Sequence, residues 1–150
     1  MTGIQEIRDV IVICKQLMKL VDCDFVGLAI QNRMGPDVRW HYAVGNLNEK
    51  YKHITVRFGK GIAGKIISTG TPMMMVDFPH QVTGKITDYP IALAEKLNTC
   101  YAVPLFFNGV PKGVLLVGNR ESGPFNDTDH DRVKESGQAL EEILKDYLGL

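Results

Sequence analysis

Three closely spaced glycines are the first residues with a chemistry to offer. The run Gly59-Lys60-Gly61-Ile62-Ala63-Gly64 opens an apolar segment, Lys65-Ile66-Ile67, that reads as a short helix. The first four N–H groups of a helix have no partner inside it, and the macrodipole leaves partial positive charge there. Such a terminus can hold a small anion without any basic side chain. Gly59 and Gly61 would let the backbone turn sharply and come close to a ligand. A second helix start is predicted at Asp88-Tyr89-Pro90-Ile91-Ala92, where Asp88 can cap and Pro90 suits the first turn. Two such starts predict an anion pocket between them.

Other chemistries find little support. Cys14, Cys23 and Cys100 form an odd set without C-x-x-C spacing, which suits a reducing compartment and reads as small buried hydrophobes. His41, His53, His80 and His130 lie far apart, without the short ligand spacing of a zinc or iron site, and read as surface or loop histidines. No G-x-S-x-G elbow occurs. Met73-Met74-Met75 reads as flexible core filler. The expectation is therefore a non-enzyme with no catalytic residue, no metal and no cofactor.

The elements that must position the glycine run follow from apolar periodicity. From residue 4 to 21, Ile4, Ile7, Ile11, Cys14, Met18 and Val21 recur at steps of three and four, the seam of an amphipathic helix. Val10, Ile13, Leu17 and Leu20 widen that stripe. Near the other end, Val133, Leu140, Ile143, Leu144 and Tyr147 keep helical spacing after the cap-rich start Asn126-Asp127-Thr128-Asp129. Two terminal helices with broad apolar faces imply a homodimer or a partner bundle. Between them, strands are predicted over 24–31, 38–44, 72–76, 99–107 and 112–119, with turns at 32–37 and at Phe107-Asn108-Gly109, the latter closing a hairpin. The pattern is that of one α+β domain over residues 1–150, with an antiparallel sheet.

Charge and hydropathy narrow the partners. The 17 basic and 17 acidic side chains balance, without the basic stripe a nucleic-acid surface needs. The apolar run Val10 to Cys14 is broken by Lys15, far short of a membrane span, and lacks the flanks of a signal peptide. A cytoplasmic protein is expected, with neither nucleic acid nor membrane as partner.

The order of G-K-G-I-A-G at 59–64, A-V-P-L at 102–105, G-V-L-L-V-G-N-R at 113–120 and Phe125 ahead of a capped helix resembles a GAF domain over nearly the entire chain. Within that family, the stretch from Val38 to Asn46, the glycine turn and Tyr89-Pro90-Ile91 look like nitrate receptors of the NreA type, free-standing GAF proteins that work with an oxygen-responsive histidine kinase and its response regulator. The resemblance implies a central antiparallel sheet flanked by the terminal helices, with short helices in the pocket loops. It further implies nitrate contacts at Trp40, Ile62, Ala63 and Ile91, a wall shaped by Tyr89 and Pro90, and a sensor histidine kinase as partner. The chemistry agrees independently. Nitrate is planar, singly charged and weakly hydrated, so a few neutral N–H donors and two helix dipoles can offset its desolvation, whereas phosphate would normally want arginines as well. Backbone donors do not titrate, so the affinity should be nearly independent of pH between about 6 and 8, and a steep dependence would implicate His41.

Three alternatives stand beside this reading. The glycine turn is shared by many GAF domains without a ligand, and Trp40 suits core packing as well as a ligand wall. A free methionine sulfoxide reductase on this fold needs a reactive thiolate, but Ala63 sits where a catalytic cysteine would be expected, the 80–95 loop has none, and Cys100 falls in a predicted strand. A cyclic-nucleotide GAF domain is partly echoed by Asn119-Arg120, Phe125 and Asp129, with Arg120 in place of a lysine and His130 in place of a glutamate.

Overall fold

The computed structural model describes the backbone of residues 2–121 and 123–147, and the side chains of 8–121 and 123–146. The elements run α1 (Thr2–Leu20), β1 (Phe25–Gln31), β2 (Val38–Val44), β3 (Thr55–Val56), α2 (Gly61–Thr69), β4 (Met73–Met75), α3 (Pro90–Ala94), β5 (Thr99–Phe107), β6 (Val110–Asn119) and α4 (Asp127–Tyr147). Short 3-10 turns at Lys50–His53 and Ile86–Asp88 precede β3 and α3. The six strands form one sheet in the order β3-β2-β1-β6-β5-β4, every neighbouring pair antiparallel. β5 and β6 are joined through Asn108 and Gly109, both at positive φ (53° and 78°). That geometry matches the right-handed twist of a two-residue hairpin.

The helices divide between the two faces. α1 and α4 pack together on one face, where Val10, Cys14 and Leu17 meet Val133, Leu140 and Leu144 over β1, β5 and β6. Gly137 lets α4 come close, since a Cβ there would lie 3.0 Å from Leu105 Cδ2. α2 and α3 cover the other face with Ile62, Ile66, Ile67 and Ile91. A bulge decides which residues of β2 look toward them. Leu28 pairs with Tyr42 but Ala29 with Trp40, so His41 is an extra residue in its strand. Strict alternation would send Trp40 and Tyr42 to one face. With the bulge, Trp40 joins the α2 side and Tyr42 packs on the α1–α4 side.

Two expectations need correction. The buried line of α1 runs through Val10, Cys14, Leu17 and Val21, while Ile11, Ile13 and Met18 are half-buried and Leu20 is exposed. The helix leans on α4 as well as on the sheet, which rotates the seam from the one predicted. Ile4, Ile7 and Tyr147 belong to helices, but their side chains lie outside the described residues. The methionine run is not core filler throughout: β4 is an edge strand, so Met75 points in and Met74 out. Among the described residues no helix is long and apolar enough to cross a membrane.

Candidate functional site

The start of α2 is built by a tight turn. Lys60 donates its N–H to Arg57 O (2.9 Å) and Gly59 donates to Gly64 O (2.9 Å). Gly59 and Gly61 both have positive φ (83° and 65°), the left-handed region that glycine adopts without steric cost. Gly64 is required for a different reason: a Cβ there would sit 2.1 Å from the Arg57 carbonyl oxygen. Lys60 occupies the N-cap in extended conformation, makes no side-chain cap bond, and no acidic residue follows in the first turn. The N–H groups of Gly61, Ile62 and Ala63 therefore precede the first intrahelical acceptor with no side chain from the cap to receive them.

The second start differs from its predicted form. Pro90 occupies the first turn of α3 as expected, but the N-cap is Tyr89 and it makes no side-chain cap bond. Asp88 caps nothing in α3. Its carboxylate accepts the Lys85 N–H at 3.0 Å (Oδ2), closing the preceding 3-10 turn, because Asp88 lies inside that turn, one residue too early for the helix. Ile91 and Ala92 then carry N–H groups that no earlier carbonyl of α3 can accept.

The two starts meet. A Cβ on Gly61 would lie 3.3 Å from the Asp88 carbonyl oxygen and 3.1 Å from Val56 Cγ1, so the first residue of α2 abuts the approach to α3. Trp40, Ile62, Ala63, Tyr89 and Ile91 belong to one buried cluster, each 2% exposed or less, and Pro90 is half-buried beside them. Trp40 owes its place to Gly27 on the neighbouring strand, where a Cβ would come within 3.0 Å of the indole Cζ3. Tyr89 is held at both ends: its hydroxyl donates to Thr83 O (2.6 Å), and the Phe78 ring meets its ring edge-on at 6.1 Å.

Sequence reasoning missed Lys65 as part of this neighbourhood. Its Nζ donates to Tyr89 Oη at 3.2 Å and stands 5.2 Å from the ring centroid, so a half-buried cation borders the wall. Its place in the first turn and a half of α2 was the available signal. Glu95 and Arg120 were also unassigned as a pair. Glu95 is fully buried, and its Oε1 accepts from Arg120 Nη2 (2.8 Å) and from the Leu47 N–H (2.8 Å). Arg120 also donates to the carbonyls of Glu95 and Gly45, and its N–H to Asp24 Oδ2.

These contacts bear on the alternatives. Arg120 is engaged as a clasp between loops. Asp129 and Asn126 cap α4 reciprocally, Phe125 is buried, and His130 stacks on Tyr101 at 3.9 Å. Each residue of the cyclic-nucleotide echo thus has a structural task. The histidines correct the surface-or-loop expectation in two cases. His41 sits half-buried in β2, its pKa lowered below 6.5 by burial and then by Arg39, and His130 lies in α4 with Nε2 buried. His53 and His80 are exposed. All three cysteines are buried, and burial pushes their thiols up to about 12, far from a reactive thiolate. Among the described residues no three His, Cys, Asp or Glu side chains gather as metal ligands.

Residues 12–145 match the model of the GAF domain, and the chain belongs to that family. Its α+β architecture, with a six-stranded antiparallel sheet between helices, is the GAF fold. Among solved structures it is similar to the NreA protein of Staphylococcus aureus mutated in its nitrate binding site, at 32% identity over 85% of this chain and 94% of that one, with a TM-score of 0.75. A hypothetical protein from S. aureus is 33% identical over 76% of this chain and 94% of its own, with a TM-score of 0.70. A free methionine-R-sulfoxide reductase from Neisseria meningitidis shares the fold at 21% identity, covering 91% of this chain and 77% of that one, with a TM-score of 0.71. No curated protein matches the chain.

Proposed function

We propose that residues 1–150 form one cytoplasmic GAF domain that acts as a nitrate receptor and modulates a sensor histidine kinase in nitrate and oxygen regulation. The observation that carries this reading is that the start of α2 at Gly61 abuts the Asp88 carbonyl just ahead of the start of α3, neither helix having a side-chain cap. Nitrate would accept hydrogen bonds from the backbone of Ile62, Ala63 and Ile91, lie against the flat face of Trp40 with one indole N–H available, and be walled by Tyr89 and Pro90. Lys65 adds positive potential through Tyr89. The similarity to NreA supports nitrate as the ligand. Buried thiols of high pKa argue against thiol catalysis, so the reading is a receptor and not an enzyme.

Nitrate draws the starts of α2 and α3 together and fixes the intervening segment from Asp77 to Asp88, and the kinase responds only insofar as it prefers one of the two states. A homodimer through the terminal helices is compatible with the exposed Val12 and Leu20 of α1. Calorimetry on the anion-free protein tests the ligand. Saturable one-site nitrate binding, tighter than nitrite or chloride, is expected. No heat with nitrate but a clear signal with a cyclic nucleotide or methionine sulfoxide would return the function to those alternatives.

A further inference from the structure

α3 is only five residues long, too short to hold its own direction, so whatever fixes its far end also aims its start. That far end is Glu95, the C-cap, whose N–H donates to Ile91 O at 3.0 Å. Glu95 thus stands one hydrogen bond away from a residue assigned above to the anion. Arg120 grips it twice, with Nη2 on the buried carboxylate (Oε1, 2.8 Å) and Nε on the backbone carbonyl (2.9 Å). Nη2 also donates to Gly45 O at 3.0 Å, and the Leu47 N–H donates to the same Oε1 at 2.8 Å. Gly45 directly follows β2, the strand that carries Trp40. It has no room to shift: its φ is 73°, and a Cβ on it would lie 2.1 Å from the Asp24 carbonyl oxygen. Asp24 in turn accepts the Arg120 N–H on Oδ2 at 2.9 Å, just ahead of β1. One guanidinium therefore ties the end of α3 to the end of β2, with the head of β1 as the anchor.

The pair is a poor device for stability alone. A buried ion pair recovers its desolvation only when its polar atoms are well matched, and Glu95 Oε2 has no hydrogen-bond partner among the described residues. What the planar fork of an arginine does fix is the distances and angles among separate acceptors. We infer that Arg120 and Glu95 are the positioning pair of the anion site, holding the Ile91 N–H at a set distance from the donors of α2 and the indole of Trp40, and so setting selectivity for nitrate over nitrite. The inference rests on the receptor reading above.

Selectivity follows from what each helix can hold by itself. Ile62 and Ala63 sit on a nine-residue helix packed into the core, whereas Ile91 depends on the short one. Nitrate has three oxygens in a plane and can engage α2, α3 and the indole together. Nitrite has two and gains less from the last donor. Hydrogen bonds weaken steeply with misalignment, and a binding site must hold its donors to within about 0.5 Å. Loosening α3 therefore costs nitrate more than nitrite.

The test is calorimetry of the intact chain with nitrate and with nitrite, beside urea unfolding. The double variant Glu95→Leu with Arg120→Met leaves no charge buried, and the Leu47 N–H it releases belongs to an exposed residue. Apolar replacement of a buried pair commonly preserves stability, so its urea midpoint should match the wild type. Nitrate affinity should fall about tenfold and nitrite affinity about threefold, the loss of one bond to a charged acceptor weighted by how much each anion uses it. Arg120→Lys keeps the buried carboxylate compensated but cannot span the three acceptors, and should lower nitrate affinity about fivefold. Wild-type nitrate affinity in the folded double variant overturns the inference while the receptor reading stands. If the double variant does not fold, wild-type nitrate affinity in Arg120→Lys overturns it in the same way. Equal loss of nitrate and nitrite marks a merely structural pair and overturns it too. A wild-type chain that binds no nitrate removes the receptor reading itself and the positioning pair with it.

Discussion

The starts of α4 and α2 face the same electrostatic problem and meet it in opposite ways. At α4, Asn126 Oδ1 accepts the Asp129 N–H (2.8 Å) while Asp129 Oδ2 accepts the Asn126 N–H (3.0 Å), and Asp127 and Asp129 put negative charge beside the positive end of the dipole. At α2, the cap residue is a lysine without a cap bond, the first turn carries no acid, and Gly61 to Gly64 are buried. Donors that cap side chains satisfy at α4 have no side-chain cap at α2, and nitrate is the acceptor proposed for them above. A buried helix start that lacks its own anion is a place where an anion from solution gains most.

Transplanting the α4 solution to α2 breaks this contrast most severely. Lys60 already has the extended backbone of an N-cap (φ −119°, ψ 151°), so Lys60→Asp should accept from the first-turn N–H groups and raise stability by about 1 kcal/mol in urea unfolding. The same carboxylate should lower nitrate affinity about a hundredfold by competing for the donors and repelling the ligand. Unchanged nitrate affinity in that variant would remove the start of α2 from the site. Trp40→Phe keeps most of the packing and deletes the indole N–H. Calorimetry should report a nitrate affinity about tenfold lower, the loss of one bond to a charged acceptor. Wild-type affinity would return Trp40 to a purely packing role.

Asn126→Ala sharpens the contrast from the other face. Stability should fall by about 1 kcal/mol while nitrate affinity holds, since the lost cap lies in α4. The smallest effect is that of pH. Backbone donors do not titrate, so affinity should be flat from about pH 6 to 8. His41 has a folded pKa below its ordinary 6.5, so as pH falls through that value the unfolded chain takes up a proton that the folded chain refuses. Stability should decline in that window, and His41→Asn should flatten the slope. A nitrate affinity that followed the same titration would bring His41 into the site.

Local chemistry was legible and tertiary chemistry was not. The Asn108-Gly109 hairpin, the limits of β2 and the cap of α4 follow from residues adjacent in sequence, and the structure has them as expected. β3 is only two residues long, and no pattern announces a strand that exists because β2 offers it an edge. The seam of α1 was ambiguous because apolar residues surround much of that helix, and only the position of α4 selects among them. In the candidate site, the glycine turn stood out by its own composition. That Gly61 abuts the Asp88 carbonyl, that a bulge at His41 turns Trp40 toward α2, and that Lys65 reaches Tyr89 are long-range outcomes without a signature in spacing. Arg120 entered only through an incomplete cyclic-nucleotide echo for the same reason: its partner Glu95 is distant in sequence and visible only once the chain is folded.

The sheet ends on one side in the two residues of β3 and on the other in the three of β4. Edges that short offer too few free peptide groups in a row to template another chain, which is how natural sheets resist edge-to-edge aggregation. β4 pairs only with residues 100–102 of β5, and beyond it the Phe106 N–H finds its acceptor in the Glu141 carboxylate instead of in another strand. A side-chain cap of that kind closes a strand edge without adding a strand to it.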